Sequence, residues 1–423
     1  MPSELKHGVR KDWPGATLSL ATQPGVVTPG PCDLAEVRPS GRPNVVVLVM
    51  VTGLAVVVTA EALVWGGARA GALAGLGFGL GALLYRLNLC FSSAWRNLVS
   101  VGNGAQLRAQ TIVIGVAATI VMVSQALGVS FSGAAPVPPS STLGFGLVLG
   151  SFLFGIGMQL GGSCASGTLF AAGAGQMSIL FTLGGFIVGA VFYTWAFPLM
   201  GMLPRIPDIR FVDYVGWWGS WGITALLLAI VATSTIWYER KRRRAGRHRR
   251  ITMGPVRAAA AIGLLAGFVF LVAGKVWSVA DAYGLWGAKL LQLVGLSPVD
   301  WPYWQQDTQA HQLAAPLWNS VSTMTNVGIM LGAAVVAAAV GAWKLRTSLP
   351  IRVLAAAFLG GILMGFGARM SGGCNIGAFV GGLSLGDVSG WVWGGCAIGG
   401  SWVGLHLRNS LSLDKRNCLG GSY

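Results

Sequence analysis

Charge is what this sequence has least of. Only 13 of its 423 residues are Asp or Glu, and 10% are charged at all, where a soluble domain carries about a quarter. A water-soluble globular fold is thereby excluded. Histidine is nearly absent: His7, His248, His311 and His406 fall in tails, loops or at the end of an apolar run, so no haem or quinone ligand pattern emerges. The six cysteines contain no Cys-x-x-Cys pair, which speaks against a disulfide framework and a zinc ribbon. The twelve methionines form no Met-x-x-Met cluster of the kind that would select copper(I). Residues 1–43 lack the charged, apolar and cleavage-site succession of a removable signal peptide. Polar and rich in Pro, Gly and Thr, they predict a disordered tail in which Cys32 is incidental.

Apolar residues make up 54% of the chain, and the mean hydropathy is +0.66. Runs long enough to cross a hydrocarbon layer of about 30 Å lie near 44–63, 70–89, 110–129, 143–161, 178–199, 217–237, 256–274, 321–343, 351–370 and 388–407. The chain therefore reads as an all-α polytopic membrane protein of roughly 9 to 11 spans. Sixty-four glycines recur inside those runs, as small residues do where helix backbones approach closely in lipid. The charge of +16 suggests nucleic acid only at first sight. Its densest part, Arg240 to Arg250, directly follows a span and predicts a cytoplasmic loop and contact with anionic lipid. Trp217, Trp218 and Trp221 read as an interfacial belt. Residues 275–320 alternate apolar and polar and predict an amphipathic surface helix followed by a loop.

Two segments repeat each other around a cysteine: GSFLFGIGMQLGGSCASGTLF (150–170) and GGILMGFGARMSGGCNIGAFV (360–380). One offset, 374 − 164 = 210, pairs Gly155 with Gly365, Gly157 with Gly367, Gly162 with Gly372, Cys164 with Cys374 and Gly167 with Gly377. A duplicated apolar unit interrupted by Gly-x-Cys-x-x-Gly predicts two pseudo-symmetric halves with broken or re-entrant helices meeting at the membrane centre. Glycine permits the backbone that a break needs. Unwound chain survives in a membrane only if buried in protein or lining a polar cavity. Freed N–H groups at the start of each new half-helix attract an anion. Cys164 with Gly162 and Ser163, and Cys374 with Gly373 and the added donor Asn375, thus frame a narrow pathway for a small anion.

A thiol is a weak donor and acceptor with a polarizable sulfur, suited to a ligand that itself carries sulfur or selenium. One buried cysteine is usually a small hydrophobe; two at matching helix breaks point to function. Cys396, paired with Phe186 by the offset, and Cys418, in the tail, read as structural or incidental. Arg86 and Arg96 bracket Cys90, and Arg369 precedes Cys374 by five residues. Charges at that depth either face a cavity or an anion, or mark the end of a span.

The segments LNLCFSSAWRN, GIGMQLGGSCASGTL and GFGARMSGGCNIGAF resemble the three cysteine motifs of the YeeE/YedE sulphur-transport family, over roughly residues 68–200 and 319–407. The resemblance implies an hourglass-shaped helical membrane protein that takes thiosulfate into bacteria. It also implies a relay in which the anion is drawn into a positively charged concavity and passed between thiols, here Cys90, Cys164 and Cys374. Arg86 and Arg369, four and five residues before Cys90 and Cys374, are expected to make that pathway attractive to a dianion. Expected partners are a small sulphur-containing anion, membrane lipids and a candidate soluble sulphur-carrier protein, with no nucleic acid. No cofactor, metal or catalytic residue is expected, and the location is the bacterial inner membrane. A membrane thiol–disulfide oxidoreductase and a transporter of a selenium compound remain the alternatives. The organisation expected is a tail (1–43), a first transmembrane half (44–237), a basic cytoplasmic loop (238–254), an extra span with the amphipathic insertion (255–318), a second half (319–407) and a C-terminal tail (408–423).

Overall fold

Runs this apolar must pair their own backbone groups, since lipid offers no water, and a helix does so within one segment. The computed structural model describes residues 43–129, 143–242, 253–343, 350–411 and 413; most of the N-terminal tail, Arg243–Arg250, Cys32 and Cys418 lie outside them. The described helices are α1 (Val45–Leu87), α2 (Phe91–Arg96), α3 (Ala105–Ala126), α4 (Phe145–Leu160), α5 (Ala165–Gly173), α6 (Met177–Met200) and α7 (Phe211–Arg242). They continue as α8 (Met253–Ala273), α9 (Ala280–Leu293), α10 (Asp307–Ala314), α11 (Val321–Ala339), α12 (Ile351–Met370), α13 (Gly382–Leu385) and α14 (Val388–Ser410). Extended pairing among the described residues is confined to Leu143–Gly144 against Arg205–Ile206 and a bridge between Arg210 and Asp387.

The chain is a multi-pass, all-α membrane protein: among the described residues, eight helices are long and apolar enough to cross a membrane. Two of the expected spans, 44–63 and 70–89, share the 43-residue helix α1, which breaks at Gly67 (φ 74°, ψ −178°). A third, 388–407, lies in α14, whose Trp, Gly and Ser residues keep it out of the eight. The first half of α1 leaves Val46, Val49, Met50, Val56 and Val64 more than half exposed, the surface of a lipid-facing helix.

Glycines set two close seams. Gly77 and Gly81 of α1 lie on the backbone of Thr325 and Ile329 in α11, while Gly328 and Gly332 lie on Ala74 and Phe78. Between α6 and α12 the pattern recurs, with Gly185 and Gly189 on Phe358 and Ile362, and Gly361 and Gly365 on Thr182 and Phe186. Such spacing by four brings backbones into direct contact, which substitutes for a hydrophobic drive that lipid cannot supply.

The segment expected to form a surface helix turns inward instead. The first turns of α9 pack on α6, α11 and α12 with Ala280, Tyr283, Leu285 and Ala288 buried, and only the far end, Leu290 to Leu296, is exposed. An amphipathic pattern states that a helix has a polar face, not what that face meets. Here Asp281, half-buried, meets an arginine of α12 at the wall of a cavity.

Candidate functional site

The Asn88 cap (φ 47°) turns the chain at the end of α1, so that Cys90, 1% exposed, becomes the residue that starts α2. Helix α4 stops at Leu160, Gly162 takes φ 73°, and the buried Cys164 starts α5. Both thiols thereby sit at helix starts, with Sγ atoms 3.4 Å apart, a hydrogen-bonding contact and far longer than the ~2.05 Å of a disulfide. Around them, Ser92 Oγ lies 3.1 Å from Cys90 Sγ, Ser166 Oγ lies 3.6 Å from Cys164 Sγ, and the Gly167 amide donates to Cys164 Sγ at 3.4 Å. Gly167 has no room for a side chain, because a Cβ there would stand 2.8 Å from Cys90 Sγ. The buried Ser163 hydroxyl donates to the Cys164 carbonyl at 3.2 Å. Gln159, at the end of α4, ties the two segments together by donating to the Ser92 carbonyl at 3.3 Å.

At the other break, α12 stops at Met370, Gly372 takes φ 76°, and Cys374 is fully buried. Its backbone angles, φ −90° and ψ −175°, nearly equal those of Cys164, φ −93° and ψ −179°, so the paired motifs end their helices in the same way. The helices they begin are different, since Cys374 opens a π-helical stretch, Asn375–Gly381, where Cys164 opens an α-helix. A Cβ on Gly373 would come within 2.8 Å of the Ala378 amide, so that stretch depends on glycine. Amides from two elements converge on the sulfur, those of Ile376 and Gly377 from its own turn and those of Val279 and Ala280 from the start of α9. Asn375 is fully buried, and neither its side-chain oxygen nor its nitrogen has a hydrogen-bond partner. An unmet buried polar group costs about 1–3 kcal/mol, so this amide is a candidate ligand group.

Beside Cys374 a cavity of ≈ 420 Å³ is lined by Arg205, Asp281, Tyr303, Gln309, Arg369, Ser371, Gly372 and Gly373, among others. Arg369 forms its inner wall, donating from Nη2 to the Asp281 carbonyl at 2.7 Å and from Nη1 to the Tyr303 hydroxyl at 3.1 Å. The Asp281 carboxylate stands 3.7 Å from Arg369, and the Tyr303 ring centroid 5.8 Å from its guanidinium carbon. Gly284 lets α9 pass against that guanidinium, which a Cβ would strike. Arg86 is exposed at the end of α1 and does not line this cavity, whereas Arg96, six residues beyond Cys90, is 2% exposed. The Cys374 segment ends at Asp387, whose carboxyl burial pushes up to about 7, Arg210 opposing and Asp208 and Asp213 adding to the shift.

Cys90 and Cys164 are thus brought together with Ser163 and Gly162, while the turn that carries Cys374 and Asn375 leads through Gly373 to the cavity that Arg369 lines. Between the two groups lies a residue that sequence reasoning missed. Tyr283 of α9 is fully buried and donates its hydroxyl to the carbonyl of Ala165, next to Cys164, at 3.0 Å. Its hydroxyl is also within electrostatic reach of both Cys164 and Cys374. Arg205 and Tyr303 were missed as well. The available signal was scarcity, since Asp281, which holds Arg369, is one of only 13 acidic residues and lies in a largely apolar helix.

The chain is similar to known proteins along most of its length. A profile of the family described as Sulphur transport matches residues 86–403, most of the chain and all three cysteine motifs. The chain is 26% identical over 346 residues to the thiosulfate transporter TsuA of Spirochaeta thermophila, covering 78% of this chain and 96% of that protein. It is 24% identical over 325 residues to the thiosulfate transporter TsuA of Escherichia coli strain K12, covering 70% of this chain and 83% of that one. A 153-residue stretch, 36% of each chain, is 33% identical to the probable transporter YedE of the same organism.

Proposed function

The chain belongs to the sulphur-transport family, and from that premise we propose that it is an inner-membrane permease that imports thiosulfate, or a closely related sulphur-containing anion, along a path of thiols. The observation that carries this reading is the contact between Cys90 and Cys164, 3.4 Å apart at two helix starts. A thiol pair of that geometry offers soft sulfur and S–H donors to a ligand with a terminal sulfur. It offers little to a hard oxyanion. The four amides around Cys374 and the unpartnered Asn375 supply the hydrogen bonds that the oxygen end of such an anion requires.

The cavity bearing Arg205 and Arg369 acts as the inlet, where the anion exchanges its hydration for guanidinium and hydroxyl donors. It then passes Cys374 and reaches the Cys164–Cys90 pair. Direction follows from the basic residues at the far end of α7: a cytoplasmic Arg240–Arg250 stretch, held near anionic lipid, puts the Arg205 cavity outside. Ion pairing of Arg108 with Glu239 at 2.8 Å fastens α3 to that inner end of α7. On the cytoplasmic side a soluble sulphur-carrier protein would receive the delivered sulphur.

A thiol–disulfide oxidoreductase is the second reading, and the same Cys90–Cys164 contact favours it, since the two sulfurs are close enough to be joined on oxidation. The deciding experiment is uptake of radiolabelled thiosulfate by proteoliposomes holding the purified protein under reducing conditions, with selenium oxyanions as competitors. Saturable uptake above empty vesicles is expected. Absence of uptake, together with electron transfer to a disulfide acceptor, would replace transport with redox chemistry.

A further inference from the structure

Between Cys374 and Cys164 stands a fully buried side chain, that of Tyr283, within electrostatic reach of both thiols. Helix α9 begins at the Cys374 sulfur, towards which its Val279 and Ala280 amides are directed. One turn later Tyr283, 0% exposed, reaches across to the carbonyl of Ala165 at 3.0 Å, directly beside Cys164. Its ring packs on Phe186 with centroids 4.5 Å apart and on Trp286 at 5.6 Å. We propose that Tyr283 is the gate of the pathway, closing it at rest and carrying the anion across by moving its hydroxyl from the Ala165 carbonyl to the ion.

The exchange is favourable on elementary grounds. A hydroxyl bonded to a neutral carbonyl gains when it transfers to an anion, because charge-assisted hydrogen bonds are roughly twice as strong as neutral ones. The gate is also tied to occupancy of the inlet. Arg369 holds the first turn of α9 through the Asp281 carbonyl at 2.7 Å and stands 3.7 Å from the Asp281 carboxylate. An anion arriving at Arg369 competes with Asp281 for the guanidinium and loosens the turn that carries Tyr283. Two further bonds keep α9 in register throughout, Asn326 Nδ2 to the Val279 carbonyl at 2.9 Å and Trp286 Nε1 to Thr323 Oγ1 at 3.1 Å. The ligand class is a small divalent oxyanion with a terminal sulfur, and this assignment rests on the permease reading.

The test compares wild-type protein, Tyr283→Phe and Tyr283→Ala in proteoliposomes, with thiosulfate and sulfate as the labelled probes. Tyr283→Phe keeps the ring and removes the hydroxyl. Its maximal thiosulfate uptake per folded, inserted protein should fall at least tenfold while the apparent KM stays within about twofold; normalising to folded protein removes the loss that general destabilisation would cause. Tyr283→Ala opens the passage and should admit sulfate, which lacks the terminal sulfur, at least tenfold faster than wild type. Wild-type thiosulfate uptake by Tyr283→Phe, or a Tyr283→Ala protein as closed to sulfate as the parent, would overturn the gate. The sulfate leak is read without any thiosulfate transport, so failure of the permease reading and failure of the gate are separately visible.

Discussion

A thiol and a guanidinium ask different things of the same anion. Cys164 and Cys374 offer soft contacts of low polarity, and their replacement should act on passage. Cys164→Ala or Cys374→Ala is expected to abolish uptake in a folded, inserted protein, and Ser should substitute poorly because it keeps a donor but loses the polarizable sulfur. Thiosulfate-dependent growth of a transport-deficient host measures this; normal growth of either alanine variant would end the relay. On the proposed pathway Arg369 acts on capture instead. It is nearly buried, with 12% of its side chain exposed, and an ion pair in such a setting is screened less than an exposed one of ~1 kcal/mol or below. Arg369→Gln should therefore raise the apparent KM about tenfold or more, which corresponds to ~1.4 kcal/mol. Arg86→Gln, at an exposed position, should change it far less. The sequence presents these two arginines alike, each a few residues before a motif cysteine. They are told apart by their surroundings: Arg86 is exposed at the end of α1, whereas Arg369 is held by Asp281 and Tyr303 with little of its side chain exposed.

Helices in this chain owe their positions to what glycine leaves out. Gly81 lies on the backbone of Ile329 across the α1–α11 seam, whereas Gly75, earlier on the same helix, has nothing within 4 Å of where a Cβ would be. One substitution should thus have opposite signs at the two sites. Gly75→Ala removes a conformationally costly residue from a helix and should stabilise by roughly 0.5–1 kcal/mol. Gly81→Ala forces α1 away from α11 and should destabilise by about 1–3 kcal/mol. Thermal unfolding in detergent resolves shifts of that size, and equal shifts of one sign would mean that the seam yields freely. The helix breaks are a second element-scale device. The paired glycines Gly162 and Gly372 are legible in the repeat, and the matching angles at Cys164 and Cys374 follow from them locally. That one cysteine opens an α-helix and the other a π-helical stretch was not legible, because Asn375–Gly381 is shaped by Val276 and Ser278, just ahead of α9, and by α14 packed against it.

For the whole molecule the open quantity is orientation. Eight basic residues between Arg240 and Arg250 follow a span, and moving such a cluster across a membrane is strongly disfavoured. A cysteine placed at Ala245, in a background lacking Cys32 and Cys418, should resist a membrane-impermeant thiol reagent in intact cells and react once they are opened. Ready labelling from outside would invert the proposed direction and make the Arg205 cavity an outlet.

What the sequence determined by itself is whatever depends on near neighbours in the chain. Hydropathy, spacing and the Gly-x-Cys repeat sufficed for an all-helical membrane protein and for two interrupted helices, because apolar runs of this length satisfy their backbone groups in lipid as helices and only glycine readily takes the angles at the breaks. The tertiary structure alone decided which side chains meet. It set Cys90 against Cys164, 74 residues apart, and drew α9 in so that Asp281 holds Arg369 and Tyr283 reaches Ala165. Nothing in the local pattern of α9 separates a helix resting on a membrane surface from one wedged between three others, since both need one polar and one apolar face. The difference lies in whether a distant helix presents a partner for the polar face, and here α12 presents Arg369.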